Sequence, residues 1–377
     1  MAVENERPLR EALDHAIARI TQLMEKAIGF PQATEHGRWR YTEDGGWTGG
    51  FWPGRLWLAY LVTEEGRYAT AAREWCVRLA PREFDTTTHD LGFLFYPSYV
   101  TGYRLTDERA LRYGALAAAE TLTRRFNPKG NFIQAWGPLD DPRRRGRTIV
   151  DTMMNLDLLF WATTQTGENR FSDIAVRHAR TCQTHHVRPD GSTAHVYDFN
   201  PDTGEPIGQN THQGYSPTSC WSRGQAWAIY GFTTCYRRTG DEAFLATARK
   251  LADWFIAHLP EDHVPYWDFN APDIPNEVRD SSAAAIAACG LLDLAIAAGE
   301  PRYREAGLEI LTSLATHYTS RDHPEEEGIL LHATGAKPLG REIDVSLTYG
   351  DYYFVEGLLR ILEPEKLSRA IGLGGEA

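Results

Sequence analysis

The sequence is short of positive charge, of cysteine and of long apolar runs, and each shortage removes a class of function. Among 377 residues, Lys and Arg number 39 against 51 Asp and Glu, a formal charge of −12. Phosphates are held by clustered Lys and Arg, so a nucleic-acid partner is excluded, and so is an anionic membrane surface. The five cysteines (Cys76, Cys182, Cys220, Cys235, Cys289) are odd in number, far apart and never in a CxxC pair. They offer neither a disulfide framework nor a structural zinc site. The 13 histidines show no metal-ligand spacing. GxSxG, HExxH, a P-loop and a GxGxxG after a strand are all missing, so no metal or organic cofactor is expected. The most apolar stretch, 281–299, is broken by Gly290 and Asp293 and falls short of the ~20 residues of a membrane span. The N-terminal MAVENERPLREALDHAIARI is polar, without a signal-peptide core. The expectation is a soluble, cytoplasmic chain.

What the sequence has in surplus is aromatic: 11 Trp, 17 Tyr and 15 Phe. With 42% hydrophobic residues it carries enough for a sizeable core, which excludes disorder. A connector of the form small-Gly-acid-x-x-aromatic recurs as EEGRY (64–68), LTDERAL (105–111), TGENRF (166–171), TGDEAF (239–244) and AGEPRY (298–303). An apolar, helically spaced segment precedes each connector and a one-sided amphipathic segment follows it. After TGDEAF, for example, Leu245, Ala248, Leu251, Ala252 and Phe255 share a face, with Arg249 and Lys250 outside it. All-round apolar helices belong inside and one-sided ones outside.

Inner helices are expected to begin near Trp52, Asp90, Asp151, Arg223, Asp280 and Asp351, with the Pro8–Ile28 helix as the remaining outer partner. Six such pairs make an all-α (α/α)6 toroid, one domain over 1–377 for want of a linker. Strands are confined to insertions, notably a hairpin at 194–208 turning on Asp-Thr-Gly.

Five runs carry residues that helix packing does not require, all where a loop enters an inner helix. The first is Trp47-Thr48-Gly49-Gly50-Phe51-Trp52, an aromatic wall with glycines that permit close approach, or a Trp-capped turn. The second is His89-Asp90-Leu91-Gly92-Phe93. The third is Gln134-Ala135-Trp136-Gly137 followed by Asp151, which leads the apolar helix TMMNLDLLFWA, with Asn155 one turn later. N-capping is the ordinary role of an Asp before a helix, and it is the expected role of Asp280 and Asp351. Two Asp 61 positions apart on successive inner helices weaken that reading for Asp90 and Asp151. If both face the axis, their repulsion raises one pKa and keeps a general acid protonated. The fourth and densest run is Thr211-His212-Gln213-Gly214 with Cys220-Trp221-Ser222-Arg223-Gly224-Gln225-Ala226-Trp227; Arg and His there suit a carboxylate ligand. His195, in the hairpin, is a further candidate. The fifth is Arg279-Asp280-Ser281-Ser282, with Tyr349-Gly350-Asp351-Tyr352-Tyr353 closing the ring.

HDLGFL, QAWG, the Asp151 run, THQG, WSRGQAWAIYGF, RDSSA and YGDYY occur in this order, and over about residues 40–360 the chain resembles the unsaturated glucuronyl hydrolases of glycoside hydrolase family 88. The resemblance implies an (α/α)6 barrel that removes the non-reducing-end Δ4,5-unsaturated glucuronic acid from oligosaccharides made by polysaccharide lyases. It implies Asp151 as general acid/base and Asp90 as its partner carboxylate. Trp47, Trp136, Trp221 and Trp227 match its sugar-stacking aromatics, and His89, His195, His212, Gln213, Arg223 and Gln225 its polar substrate contacts. The family carries an acidic residue where this chain has Gly49. Lys337 or Arg341 could reach an anionic group on the aglycone side. Two other readings stand beside this one: an unsaturated rhamnogalacturonyl hydrolase, whose arginine motif is closer to WxRGNGW, and a non-catalytic oligosaccharide-binding protein. The Asp90/Asp151 pair separates the last from an enzyme, because binding alone does not require it.

Overall fold

The computed structural model describes residues 2–372. Its helices are α1 (Ala2–Lys26), α2 (Phe51–Thr63), α3 (Gly66–Leu79), α4 (Leu91–Phe95), α5 (Thr101–Thr106), α6 (Arg109–Thr123), α7 (Thr152–Thr166), α8 (Asn169–His185), α9 (Ser222–Thr239), α10 (Glu242–Ala257), α11 (Ser281–Ala298), α12 (Pro301–His317), α13 (Thr348–Leu362) and α14 (Pro364–Ile371). A π-helical turn, Tyr96–Val100, joins α4 to α5.

Six segments form the inner ring: α2, α4–α5, α7, α9, α11 and α13. Each packs on the next, and α13 packs back on α2 to close it. The outer helices α3, α6, α8, α10 and α12 lie against α2, α4, α7, α9 and α11, and α1 covers α13. Burial follows the sequence pattern. Every residue of α2 from Phe51 to Ala59 and of α11 from Ser281 to Leu294 is buried. The outer α10 buries only Phe244, Leu245, Thr247, Ala248, Leu251, Ala252 and Phe255. By length and composition α11 could cross a membrane, but 78% of that window is buried as ring wall.

The recurring connector has a physical origin. Gly167, Gly240 and Gly299 end α7, α9 and α11 in the left-handed conformation, with φ of 75°, 69° and 67°, where glycine carries no Cβ penalty. The acidic residue after each is extended and turns the chain into the outer helix; Asp241 also caps α10 through the Ala243 N–H. In the first two connectors Glu64 and Asp107 take the left-handed position instead.

The insertion at 194–208 is a hairpin, Val196–Phe199 against Pro206–Asn210, and Arg147–Ile149 adds a third strand. That third strand ends one residue before the loop that enters α7, so it carries the hairpin to the mouth of the ring.

Candidate active site

Asp90 and Asp151 both occupy N-cap positions, of α4 and α7, and neither side chain caps its helix. Asp280 does, accepting from the N–H groups of Ser282 and Ala283. Asp351 lies inside the first turn of α13 rather than at its cap. Its buried carboxylate accepts the Ile329 and Leu330 N–H groups and pairs with Arg55 at 2.9 Å, an arrangement that ties loop to ring. The capping role expected for Asp351 is thereby corrected.

Strand pairing brings His195 to Asp151. Ile149 faces Val196 across the sheet, and the Val150 N–H donates to the His195 carbonyl at 3.0 Å. The His195 Nε2 then stands 3.7 Å from Asp151 Oδ2. Its Nδ1 accepts the backbone N–H groups of His212 and Gln213 at 3.2 and 3.3 Å. A ring nitrogen that accepts carries no proton, so the neutral tautomer places its hydrogen on Nε2, facing Asp151. Burial first, then the neighbouring His212, His186 and the arginines, holds the His195 pKa well below the usual range. The imidazole is a neutral donor.

On the other side, the Thr88 hydroxyl donates to Asp90 Oδ2 at 2.9 Å, and His89 Nε2 lies 3.3 Å from Asp90 Oδ1. His89 is buried and its pKa lowered, by burial first and by Arg125, against the pull of Asp90. Trp136, half-buried, lies between His89 and His212, with ring centres 6.2 and 5.1 Å away. Trp47 leans on Tyr349 (4.9 Å) and Phe93 (5.6 Å). The Arg223 guanidinium stacks over Trp221 at 4.4 Å and Tyr349 at 5.1 Å. It donates to Asp280 and to the carbonyls of Thr334 and Gly335, and Gln213 donates to that same Gly335 carbonyl.

Asp151 is the electrostatic centre. Burial, reinforced by Asp90 and opposed by Arg223, pushes its pKa up to about 7. Among the described residues, buried polar atoms that lack a hydrogen bond include both His89 nitrogens, Asp151 Oδ2, His195 Nε2, Arg223 Nε, Trp227 Nε1 and the Tyr349 hydroxyl. Buried polar groups are ordinarily paired, so a set of this kind is built for a polar ligand.

Two of the expected contacts sit elsewhere than expected. Gln225 is fully buried and donates to the carbonyls of Gly191 and Leu251 while accepting from the Cys220 thiol, which fastens α9 to α10. It is wall structure, because two residues along a helix is about 200° of rotation away from Arg223. Trp227, one full turn from Arg223, does face inward, but it is 0% exposed. Packed against Phe93 and Tyr353 at 5.0 and 5.4 Å, it is the floor of the pocket rather than a stacking wall. Trp52 is core, edge-on to Trp75. Lys337 is committed to Glu277 and lies over Trp267, which leaves Arg341 as the exposed member of that pair.

One residue, Arg125, escaped the sequence reading, and another, Tyr349, stood in the fifth run without a role of its own. Tyr349 looks like any aromatic of a buried helix, yet its hydroxyl lies among the unpartnered groups. Arg125, in a basic stretch at the end of α6, is buried and donates to the carbonyls of Thr86, Gln134, Ala135 and Gly137. It therefore holds together the loops that carry Asp90 and Trp136.

Gly49, where the resembling family is acidic, has no room for a side chain. A Cβ there would lie 2.8 Å from the Gly45 Cα and 3.1 Å from Leu79. Gly49→Ala is expected to lower the unfolding free energy by about 1–3 kcal/mol, since backbone cannot yield as a side chain does. Denaturant titration of the two proteins checks it.

Comparison with known proteins agrees with this geometry. Residues 18–353 match the model of Glycosyl Hydrolase Family 88. The chain is 40% identical over 323 residues to an unsaturated glucuronyl hydrolase of Bacillus sp. GL1, covering 84% of this chain and 86% of that one. An unsaturated chondroitin disaccharide hydrolase of Streptococcus pneumoniae is 37% identical, with 83% and 81% covered. The crystal structure of the Bacillus enzyme, described as responsible for the degradation of glycosaminoglycan, superposes with a TM-score of 0.91, covering 94% of this chain and 97% of that one at 37% identity.

Proposed function

The chain belongs to glycosyl hydrolase family 88 and is a glycoside hydrolase acting on unsaturated glucuronyl groups, and from that premise we propose that Asp151 is its general acid/base with Asp90 as the neighbouring carboxylate. The observation that carries the assignment is a buried Asp151 whose pKa is pushed up to about 7, which lets the carboxyl hold a proton near neutral pH.

In a Δ4,5-unsaturated uronate the C4=C5 bond is a vinyl ether, so a proton arriving at C4 leaves positive charge at C5, shared by the ring oxygen. Neutral Asp151 gives its proton to C4, and the C4=C5 electron pair forms the new C–H bond. Water adds at C5 and returns a proton to the Asp151 carboxylate. The C5 hemiketal opens by breaking C5–O5, C5 becomes a ketone, and the hemiacetal left at C1 releases the aglycone as an alcohol. Atoms and charge balance with water as the sole co-reactant.

The other residues bind and orient. Arg223 supplies the positive charge for the uronate carboxylate, with Gln213 and the Tyr349 hydroxyl beside it. The His195 Nε2–H steadies Asp151, and Trp136 and Trp47 are platforms for the ring faces. His89 and His212 border the opening, Trp221 backs Arg223, and Trp227 floors the pocket. At the rim, His212 has its pKa lowered by burial first and then by Arg147, Arg341 and Arg144. That positive rim suits an anionic aglycone, so unsaturated glycosaminoglycan disaccharides are the substrate class. Five cysteines, all buried and none bridged, fit a cytoplasmic location.

The test is loss of the C4=C5 ultraviolet absorbance on unsaturated chondroitin and hyaluronan disaccharides. Decay is expected with at least one; no decay with any unsaturated disaccharide overturns the reading in favour of a binding protein. A pH profile adds to it. Only protonated Asp151 can donate, so kcat falls tenfold per unit above about pH 7. A kcat flat to pH 9 would remove Asp151 as the donor.

A further inference from the structure

We propose that Asn155 is a positioning residue that caps the helix of Asp90 in Asp90's place and so leaves that carboxylate free for the reaction. The inference rests on the reading of Asp90 as the partner of Asp151.

An Asp at an N-cap ordinarily turns its carboxylate back onto the N–H of the second or third helical residue. In α4 the third residue is Phe93, and its N–H is already taken. The acceptor is Asn155 Oδ1, at 2.8 Å, reaching across from α7. Asp90 makes no cap bond, and its Oδ2 accepts instead from Thr88. Asp280 shows the alternative within the same ring: no neighbour supplies its cap, and it caps α11 itself.

The surrogate is held from both sides. Asn155 is fully buried, one turn along α7 from Asp151, and its Nδ2 is directed at the Asp151 carbonyl 3.5 Å away. Facing it is Gly92, where a Cβ would stand 2.4 Å from the Asn155 Cα and 2.8 Å from its Oδ1. Glycine at 92 is what lets α4 approach α7 closely enough for the bond. One amide thereby joins the two helices that carry the two carboxylates and fixes their spacing.

Removing the surrogate leaves the Phe93 N–H buried and unpaired, with the Asp90 carboxylate, at the N-cap of the same helix, as its replacement acceptor. A negative group at a helix N-terminus is favourable, so Asp90 turns inward and leaves Asp151.

The experiment uses Asn155→Ala. Its crystal structure should show the Asp90 carboxylate accepting from the Phe93 N–H. On an unsaturated disaccharide, kcat should fall roughly tenfold to a hundredfold, the scale of a misplaced acid/base partner, with KM within about threefold because the sugar-binding groups are untouched. In an Asp90→Asn background the same substitution should cost less than about twofold, since the residue through which it acts is gone. An unmoved Asp90 with unchanged kcat overturns the proposal, as does a full loss in the Asp90→Asn background. Should Asn155→Ala not fold, Asn155→Asp keeps the acceptor: Asp90 then stays in place, and the added buried charge moves the descending limb of the pH profile upward. Displacement of Asp90 in Asn155→Asp overturns the proposal too. If the wild-type enzyme acts on no unsaturated disaccharide, the functional reading fails by itself, while the position of Asp90 in the variant still decides the cap exchange.

Discussion

Asp151→Asn lowers kcat by about 10²–10⁴-fold, the share that general acid–base assistance supplies, and at the same time makes the protein more stable above neutral pH. The two effects share one cause. Burial lifts the Asp151 pKa from 3.8 to about 7. Between those values the folded state holds a proton that the unfolded state has released, so stability falls as pH rises through the window. At pH 8 the whole difference has been lost, on the order of 4 kcal/mol from a displacement of about three units. The amide of Asn does not titrate, so the variant escapes that loss. Its unfolding free energy at pH 8 should exceed the wild-type value, with the gap closing toward pH 4. Loss of C4=C5 absorbance and denaturant melts at the two pH values measure both halves. A variant that keeps more than a tenth of its activity ends the catalytic assignment. One that is less stable than wild type at pH 8 ends the account of the strained carboxyl.

The placement of the two aspartates at the heads of inner helices was legible, because Asp151 leads a run otherwise too apolar to accept a charge and Asp90 leads the inner segment before it. The ring was legible because its period is written in the glycine or acidic residue that ends five of the six inner helices in a left-handed turn. Arg223 and Trp227 stood out only as members of the densest polar and aromatic run, and their shared face is a property of α9. Gln225 was over-read: it stands inside the same conspicuous motif, but helical rotation turns it toward α10. Chain-distant contacts stayed hidden. Asn155 and Asp151 share a face in the sequence, and that spacing suggests Asn155 orients Asp151, yet its shorter bond goes to Phe93, 62 positions upstream. Arg125 was hidden for the same reason, since its partners are carbonyls of loops before and after it. No residue pattern announces which backbone oxygens will meet.

Arg223→Met should be the most destabilising change in the pocket. The guanidinium is fully buried, paired with Asp280, and it satisfies the carbonyls of Thr334 and Gly335. Removing one partner of a buried pair leaves the other charge uncompensated, at a cost of about 3–5 kcal/mol. Activity falls with it, and that loss alone cannot tell a collapsed loop from a missing substrate contact. Arg223→Met with Asp280→Asn separates them. The double variant carries no orphaned charge and should recover most of the lost unfolding free energy, because neutral pairs in place of a buried ion pair are often well tolerated. Activity should not return with it: the cation over Trp221 and Tyr349 is gone, and a uronate would meet only neutral donors. The expected double variant is therefore folded, with kcat/KM at least about a hundredfold below wild type, as expected for loss of a charged hydrogen-bond partner together with its field. Recovery of activity along with stability would make Arg223 a pillar of the 334–335 loop and nothing more. Continued inactivity in a stable protein identifies it as the group that lets an acidic enzyme hold an acidic sugar.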